Sequence, residues 1–504
     1  MTETVALQVP RPRTLSLSGP IARARPRRES GALLRRAMKI AFYTLFTTSM
    51  MLAVLWQSPV RLTIQIGASQ LRETDLLMTV FLAIWLMERV VCTPPSIRRE
   101  HGPVYLLIGV LSIPIITGLA CGKGAGTVLR DCRTTLFYLA ILPMLGVLRT
   151  YRDLLQFVRF MLLLGVPTLI AGYVHWWLAN DLAKPDTYRF GIDTADEMLV
   201  WLMFLAAGVI SIKRNNAGLR RLAWLYIAAT LVFVFCANDI RSLYGGVLTA
   251  FVFMLYIVVV SGRRFGVRVP MRRLAIAVSA SAILLGMCTA GAVKLVPGTT
   301  SLMLKDMRLR RLYSVLDPTL QGTVDVGDHD TNRDDRLLGA TYGLKLGRRN
   351  YGFGLGYGDN NFVDLDEARI QRLTQRNSLE GNPGNTVENL LFTHNSFGWA
   401  FGRLGLWPAL AYFGIVLFLC ERGRRAMFKT QSEGLRVMLM GSIAAVVYML
   451  VQGFGGGSFF DYTGQGLILW LVCLTFLVRG TELAQRETRA SGPRGARVVA
   501  GMLP

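Results

Sequence analysis

"HNSFGWAFGRLGLWPALAYFGIVLFLC", residues 394–420, opens on a polar pair, His394-Asn395, and then turns almost wholly apolar. A run of that kind reads as helix within a bilayer, because about 20 apolar residues are needed to cross a hydrocarbon core of roughly 30 Å. The polar pair then stands at the water boundary, where it is either hydrated or used. Blocks of similar character recur along the chain: near 38–58, 75–93, 103–121, 133–149, 153–176, 197–213, 221–237, 243–262, 274–294, 394–420, 435–452 and 465–479. Hydrophobic residues make up 52% of the 504 and charged residues 17%, a balance that excludes a set of soluble domains. The expected fold is all-α, a polytopic transmembrane helical bundle of about twelve spans, with one large external (periplasmic) loop region between spans 9 and 10.

The net charge of +24 suggests nucleic-acid binding until the charges are located. They sit in the N-terminal segment (Arg23, Arg25, Arg27, Arg28, Arg35, Arg36, Lys39) and in short loops holding Arg98-Arg99, Lys213-Arg214, Arg263-Arg264, Arg272-Arg273 and Arg422, Arg424, Arg425. With the spans counted above, all of these lie on the N-terminal side of the membrane. The alternate short loops are poorer in Lys and Arg and carry acids such as Asp181, Asp186, Asp193, Asp196 and Glu197. That alternation is the positive-inside pattern. It predicts both termini in the cytoplasm, a lipid bilayer as the surrounding partner, and no nucleic acid.

Residues 1–37, rich in Arg, Pro and Ser, read as a disordered cytoplasmic tail, and 480–504 as a second tail. Between them, 38–294 holds spans 1–9, 295–393 forms the large periplasmic loop, and 394–479 holds spans 10–12. The loop contains helix-like runs separated by Gly-rich turns, so folded structure over the membrane is expected. No internal repeat of the kind seen in inverted-repeat transporters is visible. The seven cysteines show no CxxC pair and no metal-ligand spacing. Cys236, Cys288, Cys420 and Cys473 fall in or beside apolar spans, where packed thiols are expected. Cys121 and Cys132 flank a loop predicted to be external, where a disulfide could form.

Motifs of soluble enzymes are weak. "GFGLGYG" places Gly352, Gly354, Gly356 and Gly358 at alternate positions, which is not GxGxxG, and these glycines read as allowing a tight backbone path. "DHD" (328–330) and "DLD" (364–366) are short matches to a metal-holding Asp-x-Asp in an acidic loop, and no metal site is assigned to them. Neither a P-loop nor a Ser-centred hydrolase elbow is present.

What remains is a set of Arg and His residues at the predicted external surface. Arg241, in "CANDIRSLYGG", occupies a very short turn beside the hydrocarbon, where an Arg is expensive to keep; it either snorkels or serves a function. Arg333 and Arg336 open a helix-like segment of the loop, with Asp334 and Asp335 as competing ion-pair partners. Of the four histidines, His101 stands in a loop predicted to be cytoplasmic, without companions. His175 belongs with interfacial tryptophans and His329 sits between aspartates. His394 stands where the long loop re-enters the membrane. It can serve there as a proton acceptor at ordinary pH, or simply begin a helix with Asn395 as a cap-like neighbour.

In order and character these features resemble the O-antigen ligase and O-antigen polymerase family of bacterial membrane glycosyltransferases. The likeness runs through roughly residues 225–412: an Arg in a short turn ("DIRSLYGG"), a long external loop with an Arg followed by "NYGFGLGYG", and then "HNSFGWAFGRLGLWPAL". One departure is Ile240-Arg241-Ser242, where the family has Ser/Thr-Arg-Gly. The resemblance implies transfer of a glycan from undecaprenyl pyrophosphate to an acceptor sugar hydroxyl at the periplasmic face of the inner membrane. The acceptor is the lipid A-core in a ligase, or a growing polysaccharide built of lipid-linked repeat units in a polymerase. It implies no nucleotide, no cofactor and no obligatory metal. In such an enzyme His394 would be the general base and Arg241 a catalytic arginine facing the pyrophosphate. Arg336, or alternatively Arg333, and Asn395 would bind substrate. Arg336 is preferred for its helical spacing towards the Gly-rich turn. A third reading, a polysaccharide flippase or transporter, would call for charges at mid-span and broken helices in matching halves.

Overall fold

A computed structural model describes residues 25–54, 63–66, 69–92, 101–179, 195–211, 217–234, 241–257, 339–354, 356–358, 396–454, 460 and 465–490. Helices dominate. In chain order they are α1 (Arg25–Val54), α2 (Glu73–Cys92), α3 (Gly102–Ala120), α4 (Ala125–Asp131), α5 (Arg133–Tyr138), α6 (Ile141–Val147) and α7 (Tyr151–Ala179). There follow α8 (Ala195–Ser211), α9 (Ala217–Val232), α10 (Arg241–Tyr256), α11 (Ser396–Trp399), a π-helical turn Ala400–Leu404, α12 (Leu406–Lys429), α13 (Glu433–Gln452) and α14 (Gln465–Ala490). The strands among the described residues are β1 (Thr63–Ile66) and β2 (Ser69–Arg72), paired antiparallel with Thr63 opposite Arg72.

Among the described residues, five helical stretches are long and apolar enough to cross a membrane: Gly102–Ala120, Tyr151–Tyr173, Leu406–Lys429, Glu433–Gln452 and Gly466–Arg489. Shorter apolar helices cover Thr135–Val147, Glu197–Ile210 and Gly245–Tyr256. The predicted block 274–294 lies outside the described residues. The block 133–149 is broken helix rather than one rod, and 394–420 is interrupted at Gly405, whose φ is +94°. α2 keeps Asp75, Glu88 and Arg89 within an apolar run, and the carboxylates of Asp75 and Glu88 are paired. Asp75 takes both ends of the Arg133 guanidinium, while Glu88 lies 3.2 Å from Arg35 and 3.3 Å from Arg149.

α13 and α14 form the centre of the core. α14 is buried along nearly all of its apolar stretch, with Trp470, Leu471 and Leu474 fully enclosed. α8 packs on α13 through small residues: a Cβ on Gly208 would stand 2.9 Å from Val437, and one on Gly441 would stand 2.6 Å from Leu205. Small residues at such crossings let helix backbones approach, which is how apolar helices gain packing energy when lipid offers no hydrophobic drive. Thr168 and Ser112 return their hydroxyls to the carbonyls of Leu164 and Ile108, at 2.7 and 2.9 Å, so neither leaves a buried donor open. Ser432 caps α13 by accepting from Leu435 N at 3.3 Å.

Two boundaries differ from the sequence reading. α1 begins at Arg25, so residues 25–37 are helical, and α14 continues to Ala490, with Glu482 and Ala484 buried. Arg35 in the first stretch pairs with Glu88 on α2, and Glu482 in the second with His101, partners that composition alone does not reveal. Cys121 and Cys132 are free thiols, the first exposed and the second buried, with the Cys132 thiol turned to Leu129 O at 3.3 Å. Cys420 and Cys473 are buried as expected, while Cys236 and Cys288 lie outside the described residues.

Candidate functional site

His394, Asn395, Arg333 and Arg336 lie outside the described residues. Arg241 is the first residue of α10, and Ser396, the first residue of α11, immediately follows the His-Asn pair. The backbone shows where these two starting points lie. Ser396 N donates to Gly453 O at 2.8 Å, which pins the start of α11 to the end of α13. α10 runs antiparallel to α13: Gly246 packs against the ring and carbonyl of Tyr448, and Tyr256 lies near Arg424, towards the far end of α12. Arg241 precedes Gly246 by as many residues as Gly453 follows Tyr448, about 7 Å of helix in each case. The start of α10 and the start of α11 therefore lie at the same end of α13.

Other groups gather at that end. From the Gly208–Val437 and Leu205–Gly441 contacts, α8 is antiparallel to α13, so its start at Ala195 lies there too, with the carboxylate-bearing Glu197 buried. Gln452, the last residue of α13, is buried, and its Oε1 has no hydrogen-bond partner among the described residues. Starts of helices carry partial positive charge and open N–H groups, which favour an anion near them.

The turn Ala400–Leu404 builds a second feature, one that sequence reasoning missed. Its wider coil brings Arg403 inward, where Nη1 lies 3.2 Å from Asp131 Oδ2, with both side chains nearly enclosed. The same carboxylate oxygen accepts from Gly358 N at 2.9 Å. Beside it Tyr357 is fully buried: its hydroxyl meets that of Thr135, and its N–H donates to Pro114 O at 3.1 Å. Burial pushes the Tyr357 hydroxyl pKa well above its ordinary value, so the group stays neutral and can donate or accept. An Arg inside an apolar run was the available signal for Arg403. Asp131 carries no comparable mark, since "LRDCR" reads as an ordinary polar turn.

The alternate glycines behave as their spacing suggests. Gly352, Gly354, Gly356 and Gly358 all have positive φ (89°, 69°, 70° and 85°). At Gly356 a Cβ would collide with the backbone of Gly118 and stand 2.6 Å from Pro114 O, so the turn seats directly on α3. Just upstream, helical residues 339–347 lie against α11 and the turn that follows it. A Cβ on Gly343 would strike Gly398 O, one on Gly398 would stand 2.6 Å from Gly339 O, and one on Gly347 would stand 2.5 Å from Phe401 O. The spacing Gly339, Gly343, Gly347 is a small-x-x-x-small ridge. Between ridge and turn, Asn350 and Tyr351 take left-handed backbone angles, φ 49° and 59°, at a cost of about 1–3 kcal/mol each. They are held there by Asn350 Nδ2 to Gly354 O at 2.7 Å and Trp407 Nε1 to Tyr351 O at 2.9 Å.

His101 is not without companions. It is buried before α3, its Nε2 is 2.9 Å from Glu482 Oε1, and Arg479 pairs with the same carboxylate. Among the described residues no three His, Cys, Asp or Glu side chains come together as a metal site; the two Asp-x-Asp runs lie outside them. Compared with known proteins, the chain matches no family model and no curated sequence.

Proposed function

We propose that the protein is a membrane glycosyltransferase of the O-antigen ligase type. It would transfer a glycan from undecaprenyl pyrophosphate to a sugar hydroxyl of the lipid A-core, at the periplasmic face of the inner membrane. The observation that carries this reading is that α10 and α11 both start at one end of α13, since these are the elements that begin with Arg241 and directly follow His394-Asn395. The leaving group is a pyrophosphate whose charge grows as the glycosidic bond breaks. Arg241 and Arg336 meet it with forked, charge-assisted donors, for which a lysine is a poor substitute. Arg333 stands beside Arg336 as the other candidate for that role. The N-terminal ends of α8 and α10 add to the field that an anion would feel. His394 takes the proton from the attacking hydroxyl, and Asn395 helps hold the acceptor. No cofactor is required, and the energy comes from the lipid-linked donor. The twelve-span layout, with cytoplasmic termini and 295–393 outside, is part of the same proposal.

The test is His394→Gln in purified protein, with an undecaprenyl-pyrophosphate-linked donor, a defined acceptor and a chelator present. Loss of a general base lowers the rate by roughly a hundred- to ten-thousandfold. Transfer at close to the wild-type rate would remove His394 from the chemistry. Gene deletion separates the two acceptors: loss of capped lipopolysaccharide with intact polymer marks a ligase, and loss of polymer marks a polymerase.

A further inference from the structure

Residues 348–353 and Trp407 expose an aromatic surface with a basic border. Tyr351 is 96% exposed, Trp407 54% and Phe353 44%, and all three surround one short turn. The Trp407 ring lies across the backbone here: its Nε1 donates to Tyr351 O at 2.9 Å, and a Cβ on Gly352 would collide with the indole. Residues 339–358 contain no acid, whereas Lys345 and Arg348 are exposed and Arg349 is half-buried beside them.

Two features separate this surface from an ordinary interfacial anchor. Tyr and Trp that sit in the headgroup layer keep their polar tips wet. Trp407 instead gives its N–H to the Tyr351 carbonyl, so what it offers to a partner is apolar ring. Secondly, an anchor needs only an aromatic side chain, which any helical position provides. Here two consecutive residues that are not glycine are held at positive φ, and the result is to aim the Tyr351 ring away from the protein. Backbone held in a sparsely populated region by surrounding hydrogen bonds is the mark of a ligand clamp.

We propose that Tyr351, Phe353 and Trp407, with Arg348 and Lys345, form a binding platform for an anionic saccharide. The apolar face of a pyranose ring stacks on the Tyr351 ring, and the basic side chains meet its carboxylate or phosphate groups. The inference deepens the reading above and rests on it for the source of the glycan, which is the sugar portion of the acceptor or donor.

Binding is measured on the full-length protein in detergent, without turnover, using tetragalacturonate as the anionic probe and maltotetraose as the neutral one. Wild type binds tetragalacturonate in preference to maltotetraose, and the binding weakens as salt is raised. Tyr351→Asn removes the ring yet keeps a residue at ease with positive φ, and it weakens binding by about tenfold. Tyr351→Trp retains binding, and Arg348→Ala loses the preference for the anionic probe. Wild-type affinity in Tyr351→Asn, or equal or absent binding of the two probes to wild type, overturns the proposal and leaves the surface as a membrane-interface anchor. Because no transfer is assayed, these outcomes stand apart from those of the His394 test.

Discussion

Arg403 and Asp131 are far apart in sequence and come from elements with no obvious kinship, yet they lie 3.2 Å apart in a nearly closed space. Asp131 also holds Gly358 N, so one carboxylate ties α4, the turn after α11 and the Gly-rich turn together. Removing one partner takes the opposite charge away from the other in a nearly closed space, at a cost of about 3–5 kcal/mol, whereas removing both takes both charges out of it. Arg403→Met and Asp131→Asn should therefore each lower the thermal stability of the purified protein, and the double variant should lose much less than the sum, with a coupling of about 0.5–3 kcal/mol. Additive losses would show that the two side chains do not depend on each other. The sequence draws attention to other residues, His394 and Arg241, because ionisable groups at a membrane boundary are conspicuous. Asp131 stays hidden because its meaning comes wholly from what folds against it. His101 shows the same limit: its partner Glu482 belongs to the far end of the chain.

Among the elements, apolar blocks were legible because a bilayer demands helix and sets its length. Where each block is described it falls on helix, but its interruptions were not visible. Gly405 breaks the block that begins at His394 since its φ of +94° suits glycine alone, and the π-helical turn before it changes which side chains face inward. The ridge Gly339–Gly343–Gly347 was also readable as a spacing, although its partner at Gly398 was not. Gly343→Ala puts a methyl group against a carbonyl on the facing backbone, where no side chain can move aside. It should destabilise the protein by about 1–3 kcal/mol. Gly109→Ala, in the middle of α3 with nothing near its Cβ position, should be neutral or gain up to about 1 kcal/mol. Equal melting temperatures for the two variants in detergent would show that the ridge is not in backbone contact.

At the scale of the whole molecule, the Lys/Arg alternation is expected to set orientation, while α8, α10 and α14 pack on α13, and α12 lies against both α13 and α14. The expected arrangement puts both termini and the 263–273 loop in the cytoplasm, with 295–393 outside. In a variant with all seven cysteines replaced, single cysteines at Ser378 and Ser261 can be probed with a membrane-impermeant thiol reagent, in cells with a permeabilised outer membrane. Labelling is expected at Ser378 and not at Ser261; the reverse would overturn the orientation.

The seating of the Gly-rich turn has a consequence for biosynthesis. Gly356 lies against Gly118 and Pro114, made early, while the ridge just before it lies against Gly398 and Phe401, made late. When residues 339–358 leave the ribosome, one of their two docking surfaces already exists and the other has yet to be translated. A nascent chain stopped before α11 therefore presents its ridge of glycines uncovered. The stretch from α11 onward, about the last fifth of the sequence, does more than add helices: its arrival closes a contact that the earlier part has been holding half-made.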